Sequence, residues 1–133
     1  MVERQGLPLH ALVSPANRND ALYFAATLDG IGPIKRPRGR PRRCPAKAHA
    51  DKAYDVPRCH TYLQQHRIAD RIARKGIESS ARLGRYRWVA ERTMAWLADF
   101  RRLDVRYERR ADIHLAFLHL GCALICLRVL ERL

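Results

Sequence analysis

Apolar positions in the second half of the chain recur at the spacing of a helix face. Val89, Trp96, Phe100 and Leu103 follow one another at intervals of seven, four and three residues, which predicts a helix over residues 85–103. A longer apolar run then predicts a second helix over residues 111–130. We expect this last helix to be buried in the core of the protein.

Shorter apolar segments alternate with turn residues in the first half of the chain. Strands are predicted over 7–13, 46–50 and 67–74, the second of them short and buried, and short helices over about 20–28 and 56–66. Residues 75–84, with two Gly and two Ser, are predicted to be a loop. Asn19 or Asp20 is the expected cap of the first helix, and Asp55, with Pro57 behind it, that of the second. Strands that alternate with helices indicate an α/β fold, and no internal repeat is visible.

A segment dense in Arg and Pro, residues 35–47, interrupts this pattern and is predicted to be an exposed basic loop. The whole chain has 26 Lys and Arg against 13 Asp and Glu, a formal charge of +13. So large an excess favours a polyanionic partner, with nucleic acid ahead of an anionic membrane surface.

Length and cysteine usage limit the other possibilities. The 133 residues suffice for one domain with a modest core. Cys44, Cys59, Cys122 and Cys126 do not form a disulfide framework, and the spacing of Cys44, His49, Cys59 and His60 fits no common zinc motif. No signal peptide is visible, so we expect a cytoplasmic protein. The apolar core of the last helix, residues 113–127, is shorter than a membrane span needs, so no membrane partner is expected.

Two acids stand in unusual settings. Asp51 follows the predicted strand 46–50, and Glu91 lies on the predicted helix in a second line of residues with Trp88, Ala95 and Ala98. We expect that line to be half-buried, where a carboxylate needs a partner or a metal ion. The alternatives stay open: Asp51 as an ordinary turn or cap residue, and Glu91 as the partner of Arg87 in a surface ion pair.

Three stretches of the chain resemble the DDE transposases of bacterial insertion sequences. They are Gly6-Leu7-Pro8-Leu9 through Val13-Ser14-Pro15-Ala16-Asn17-Arg18-Asn19-Asp20, then Ala50-Asp51-Lys52-Ala53-Tyr54-Asp55, and finally Arg87-Trp88-Val89-Ala90-Glu91-Arg92 with Trp96-Leu97 and Phe100-Arg101-Arg102-Leu103. The resemblance covers most of the chain.

The resemblance implies an RNase H-like fold, a mixed sheet with flanking helices, and the cleavage and transfer of DNA strands. It implies that Asp51 and Glu91 are catalytic acids that hold two Mg²⁺ or Mn²⁺ ions. DNA is the implied partner, with a homo-oligomer or a hetero-oligomer with intact transposase as further possibilities. In this picture Arg87 and Arg92 are candidate phosphate contacts, and Arg101 could take the place of a Lys that the chain lacks. The charged residues of the basic loop are separate candidate DNA contacts: Lys35, Arg36, Arg38, Arg40, Arg42 and Arg43.

The chain departs from the family pattern in ways that change the expectation. Ala98 stands where a Lys is expected, Gly84 stands where a Tyr is expected, and nothing before Gly6 resembles the first catalytic strand with its Asp. We therefore expect residues 1–133 to be one catalytic domain truncated at its N-terminus, a partial RNase H-like fold. With one carboxylate of three missing, strand transfer by this chain alone is expected to be weak or absent.

The basic loop supports a second interpretation. Pro37-Arg38-Gly39-Arg40-Pro41 resembles the core of an AT-hook, in which Arg-Gly-Arg lies in a narrow A·T minor groove. The chain would then be a non-catalytic DNA-binding module. A loop that grips phosphates without sequence preference is the simpler account of the same residues, and it is the one we favour.

Overall fold

The computed structural model describes residues 1–77 and 80–132, without the side chains of residues 80–87. The chain divides into two compact units. The sheet unit comprises residues 14–87, and the helical unit comprises residues 1–13 together with 88–133. Helices and strands are mixed, and the strands form a small parallel sheet, so the α/β class is confirmed at this level.

The sheet unit begins with a 3₁₀ turn, Asp20–Tyr23, followed by α1, Phe24–Asp29. The side chain of Asn19 accepts a hydrogen bond from the Ala21 N–H and caps this turn as predicted, and Gly30 follows the helix. Strand β1, Lys47–Ala50, then leads through a 3₁₀ turn, Lys52–Tyr54, into helix α2, Pro57–Gln65.

Strand β2, Ala69–Ile72, follows α2 and pairs parallel with β1, so that Lys47 faces Ala69 and Ala50 faces Ile72. Both strands lie within predicted segments. Only Ala48 of β1 is buried, so the strand is more exposed than expected. The core of this unit consists of the following buried apolar side chains: Ala21, Phe24, Leu28, Ala48, Cys59, Leu63, Ile68, Ile72 and Ala73.

The predicted strand over residues 7–13 is wrong. Pro8, in this segment, makes an isolated β-bridge with Val2. Residues 9–13 have no strand partner among the described residues. The chain instead folds back on itself through Gly6, whose φ is +87°, and the Met1 ammonium donates to the His10 carbonyl. Apolar composition alone does not make a strand, because each strand needs a neighbour along its length.

Helix α3, Ser80–Ala98, has its residues 80–87 in the sheet unit and its residues 88–98 in the helical unit. The helical unit also contains α4, Arg101–Asp104, and α5, Ala111–Leu130. The loop predicted over 75–84 is wrong at residues 80–84, which are helical, and its residues 78–79 lie outside the described part of the chain. The helix predicted over 85–103 is divided, because Phe100 has the extended conformation, with φ −89° and ψ 108°.

Helix α5 has the predicted bounds, but it is not the buried helix that we expected. Its buried residues are Gly121 and Ile125, and 11% of its most apolar window is buried. The 20-residue helix, with a mean hydropathy of 2.0, is long and apolar enough to cross a membrane by length and composition. Helix α5 is apolar almost all round, but its two buried residues lie on the same face. The helical unit therefore covers one face of α5 and leaves other apolar positions exposed.

Candidate functional site

Asp51 lies directly after strand β1 and is exposed. Its Oδ1 atom accepts a hydrogen bond of 2.9 Å from the Ala53 N–H, which caps the 3₁₀ turn over Lys52–Tyr54. The sequence had assigned the capping role nearby to Asp55, and this assignment is wrong. Val56 occupies the N-cap position of α2 and makes no side-chain cap, although Pro57 begins the helix as predicted.

Glu91 lies on α3 and is exposed. The expectation of a half-buried line through this residue is wrong, because Trp88 is 48% exposed and Ala95 and Ala98 are exposed as well. The buried residues on the same part of α3 are Thr93 and Leu97. Asp51 belongs to the sheet unit and Glu91 to the helical unit, so each is described within its own unit.

Arg92, next to Glu91, has several partners inside the helical unit. Its guanidinium carbon lies 4.5 Å from the ring centre of Trp88 and 4.9 Å from that of Trp96, and its Nη2 donates to the Gln5 carbonyl. Each cation–π contact of this kind stabilises the position of the guanidinium by roughly 0.5–1 kcal/mol. The sequence carried a signal for this cluster, since the two Trp lie four residues on either side of Arg92.

Thr93 anchors the N-terminal segment beside that cluster. Its hydroxyl donates a hydrogen bond of 2.6 Å to the Gly6 carbonyl, and the residue is buried. A Cβ on Gly6 would come within 3.0 Å of the Arg92 and Thr93 side chains, and the positive φ of Gly6 also disfavours other residues. The first turn of the chain is therefore fixed to α3 by a glycine and two side chains.

Arg101 and Arg87 are the two other candidate phosphate contacts. Arg101 is the first residue of α4 and is exposed. The side chain of Arg87 lies outside the described residues.

The basic loop is closed by the backbone and exposed to solvent. Ile34 and Arg42 exchange two backbone hydrogen bonds, of 2.9 and 2.8 Å, and Gly39 between them has a φ of +89°. The Arg42 side chain donates to the Cys44 carbonyl at 2.9 Å. Every residue of the segment 35–44 is exposed, including the predicted contacts Lys35, Arg36, Arg38, Arg40, Arg42 and Arg43. The segment 35–44 is therefore an exposed surface loop with a high density of positive charge.

His60 lies between two carboxylates of the sheet unit. Its Nε2 is 2.9 Å from Asp55 Oδ1, and its Nδ1 contacts Asp70 Oδ2 on strand β2. The other oxygen of Asp55 accepts a hydrogen bond of 2.8 Å from the Lys75 N–H. This cluster ties α2 to β2 and to the segment after β2, and the sequence analysis did not find it.

The hydrogen bonds set the protonation of this cluster. Asp70 and Asp55 raise the pKa of His60. The Lys75 N–H and the His60 ring lower the pKa of Asp55. Burial acts to raise the pKa of Asp70, but hydrogen bonds from His60 and the Ile72 N–H outweigh it and lower that pKa. The cluster therefore keeps His60 protonated between two ionised carboxylates to a higher pH than its ordinary pKa would allow.

The stabilising effect of His60 depends on pH in a predictable direction. The folded-state pKa of His60 is raised, so its stabilisation of the folded protein is fully present when the pH is below its ordinary pKa of 6.5. This stabilisation is lost as the pH rises through the folded-state pKa. The two carboxylates stabilise the folded protein fully when the pH is above their ordinary pKa of 3.8. This stabilisation is lost as the pH falls through their lowered folded-state pKa values. We expect the melting temperature of the wild type to exceed that of His60→Gln near pH 5.5, and the difference to shrink steadily as pH rises above 6.5.

Thermal unfolding followed by circular dichroism measures both proteins over this range. Comparing them at each pH removes the titrations that they share, including that of His49, whose pKa burial lowers. A difference that stays constant from the acidic to the alkaline end would contradict the assigned role of the cluster.

Among residues 1–77 and 80–132, no three His, Cys, Asp or Glu residues are placed so that they could hold a metal ion together. The four cysteines are free, and Cys59 is buried with its Sγ 3.8 Å from the Ala21 carbonyl. Both ring nitrogens of His60 are engaged by the carboxylates of Asp55 and Asp70.

Comparison with known proteins places the chain in a family. Residues 1–126 match the family model described as the transposase DDE domain, and the chain therefore belongs to the DDE transposases. It is also 46% identical over 132 residues to a Burkholderia cepacia protein named "Putative transposase for insertion sequence element IS402". That alignment covers 99% of this chain and 63% of the relative. No solved structure matches the chain. The resemblance to this family in the sequence is thus confirmed.

Proposed function

We propose that this chain binds DNA as part of an insertion-sequence transposase, whose chemistry is metal-dependent cleavage and transfer of DNA strands. The observation that carries the proposal is the family match over residues 1–126, within which Asp51 follows a strand of a parallel sheet. Functional groups commonly lie at the carboxyl ends of parallel strands, where loops expose side chains to a substrate. In this proposal the chain contributes to an RNase H-like domain, and the protein acts in the cytoplasm.

Asp51 and Glu91 are the proposed metal ligands and catalytic acids. Carboxylate oxygens are the donors that Mg²⁺ and Mn²⁺ prefer, and both side chains are exposed. The cap made by Asp51 uses Oδ1, so a metal ion could engage the carboxylate through Oδ2. The donor type thus suits Mg²⁺ or Mn²⁺, and the bound metal would supply Lewis-acid stabilisation of the charge on the phosphodiester.

Basic side chains would position the DNA. The exposed loop over residues 35–44 is the main proposed phosphate contact, and Arg101 is a second exposed candidate. Arg87 and Arg92 remain proposed contacts on the helix of Glu91. For Arg92 the stacking between Trp88 and Trp96 supports a fixed orientation of the charge.

We further propose that this polypeptide by itself transfers no DNA strands. The proposed site has two carboxylates, and the described residues bring no group of three metal ligands together. A site with fewer charged ligands holds Mg²⁺ weakly, because this ion keeps most of its water shell and binds through few protein groups. Assembly with an intact transposase, or with further copies of the chain, is the proposed route to activity.

The test combines DNA binding with nicking of a supercoiled plasmid. The purified chain, Asp51→Asn and Glu91→Gln are compared with Mg²⁺ and with Mn²⁺, and binding is followed by gel retardation. We expect all three proteins to bind DNA at low salt and none to nick it. Nicking by the wild type that both substitutions abolish would establish the two acids as catalytic and refute the proposed inactivity of the chain. Failure of the wild type to bind duplex DNA at about 50 mM salt would refute the DNA-binding function.

A non-catalytic DNA-binding module is the second candidate, and the exposure and positive charge of the basic loop support it. Gly39, with its positive φ, lies between Arg38 and Arg40 in a loop closed at its base. If the loop enters the minor groove as an AT-hook does, A·T-rich duplexes will bind more tightly than G·C-rich ones of equal length. Equal affinities would show that the loop contacts phosphates only.

A further inference from the structure

A cavity of about 320 Å³ lies in the sheet unit, between the end of α1, the segment after it, α2 and residues 43–45 of the basic loop. Its lining includes two buried apolar side chains, Leu28 and Ile68, and the half-buried ring of Tyr62. Asp29 and Arg43 add one charge of each sign. Apolar walls with a few polar groups are typical of sites that bind small molecules.

Tyr62 is held in place by three neighbours. Its hydroxyl donates a hydrogen bond of 2.5 Å to Asp29 Oδ1. Its ring stacks on that of His66, with ring centres 4.1 Å apart, and meets the ring of Phe24 nearly at a right angle. Burial and the Asp29 carboxylate raise the pKa of Tyr62, so the hydroxyl stays protonated and keeps donating to Asp29. This wall of the cavity is therefore ordered before any ligand binds, which lowers the cost of binding.

The side of the cavity formed by the basic loop is also fixed. Arg42 pairs with Ile34 through the backbone, and its side chain donates to the Cys44 carbonyl at 2.9 Å. Arg43 lies between Arg42 and Cys44, lines the cavity and is one of the proposed DNA contacts. The cavity thus adjoins the part of the chain that we propose holds DNA.

The size and lining of the cavity limit its ligand to a single nucleotide. Its volume lies at the lower end of the range for ligand pockets, which begins at roughly 300 Å³, so a base that stays paired within a duplex does not fit. The faces of an unpaired base are apolar and suit Leu28, Ile68 and Tyr62. The phosphate beside that base suits the guanidinium of Arg43.

Asp29 gives the cavity a preference among bases. Its Oδ1 atom accepts from Tyr62, but a carboxylate has further lone pairs for a ligand. Cytosine, adenine and guanine each carry an amino group that can donate to this carboxylate. Thymine has no amino group, and its single ring N–H lies between two carbonyl oxygens that a carboxylate repels. Asp29 therefore favours bases with an amino group over thymine.

We propose that this cavity binds one unpaired nucleotide of a DNA strand, with an amino-bearing base inside it and the adjoining phosphate on Arg43. The inference rests on the proposed function, because the basic loop brings the strand to the cavity. It goes further in naming single-stranded DNA and a class of base. A free nucleotide offers the same chemistry, and the test separates the two sources.

Fluorescence anisotropy with two labelled single strands tests the preference. One strand contains only deoxycytidine and the other only thymidine, each of about eight nucleotides. The two probes have equal length and charge, so contacts to phosphate alone bind them equally. We expect the full chain to bind the cytosine strand about tenfold more tightly, as one hydrogen bond to a charged acceptor provides.

Asp29→Asn is the decisive variant, because it keeps the shape of the side chain and an oxygen that accepts from Tyr62. Its amide can pair with either base, so the two affinities should come within about twofold of each other. Asp104→Asn is the matched control: it makes the same change of charge at an exposed position on α4 and should keep the preference.

Alkylation of Cys44 locates the bound base. Cys44 lines the cavity and is an exposed free thiol. The saturating cytosine strand should slow its reaction with iodoacetamide, followed by mass spectrometry, severalfold more than the saturating thymine strand does.

Equal affinities of the wild type for the two strands would overturn the proposal. A preference that Asp29→Asn keeps, or that Asp104→Asn also removes, would overturn it as well, and so would equal alkylation of Cys44 with both strands. Protection of Cys44 by free deoxycytidine monophosphate, when the cytosine strand gives none, would assign the cavity to a free nucleotide and overturn the assignment to DNA. Duplex binding at about 50 mM salt without a cytosine preference would refute this inference alone, whereas binding to no DNA would refute the proposed function too.

Discussion

Replacing Arg36, Arg38, Arg40 and Arg43 by alanine is expected to make DNA binding by this chain far less sensitive to salt. The four side chains are exposed on a loop that two backbone hydrogen bonds close, so they can contact several phosphates at once. The slope of log K against log salt is negative, and each lost phosphate contact reduces its magnitude by about 0.9. The four substitutions should therefore reduce the magnitude of the slope by roughly 3.6. Over a rise from about 50 to 200 mM salt, the wild type should lose on the order of a hundredfold more affinity than the variant.

Gel retardation or fluorescence anisotropy at four salt concentrations gives both slopes. The matched control removes the same charge from exposed positions outside the loop: Arg4, Arg18, Arg58 and Arg132. This control should change the slope much less. If the loop variant and the control shift it equally, binding depends on net charge alone, and the loop has no special role.

Leu63→Ala is expected to destabilise the protein by about 2–5 kcal/mol. Leu63 lies on α2 with 0% of its surface exposed, so shortening it leaves a cavity that the neighbouring side chains cannot easily fill. Leu22→Ala is the matched control in the same unit, because Leu22 is 47% exposed and its substitution leaves no buried cavity. Urea denaturation of both variants measures the difference.

The control should lose well under 1 kcal/mol. Equal losses for the two variants would mean that Leu63 is not a core residue of the sheet unit. Since neither residue belongs to the proposed DNA contacts, the salt dependence of DNA binding should be unchanged in folded samples of both.

The family and much of the local structure could be predicted from the sequence. Asn19 caps its turn and Pro57 begins α2, because these signals act over a few residues. The bounds of α5 were also predictable, since a long apolar run between polar ends depends little on its surroundings. The family was recognised from short motifs around Asp51 and Glu91, whose roles as catalytic acids stay a prediction.

Contacts between distant residues could not be predicted in this way. The sequence suggested Asp55 as a helix cap, but the fold uses this carboxylate for His60 and Lys75. Arg92 and Thr93 bond to the carbonyls of Gln5 and Gly6, 87 positions earlier in the chain. No local pattern specifies such partners, because they depend on how the segments between them fold.

The sequence by itself determined the class of fold, the positions of α2 and α5, the exposed basic loop and the transposase family. Each of these follows from composition, from local backbone preference or from a motif of a few residues. The tertiary structure decided that residues 7–13 are not a strand, that His60 lies between two acids, and that the face of α5 with Gly121 and Ile125 is covered while the face with Leu120 and Leu127 is exposed. The physical reason is that burial and pairing depend on the space available beside each element, and a periodic apolar pattern does not say which face the rest of the chain will cover.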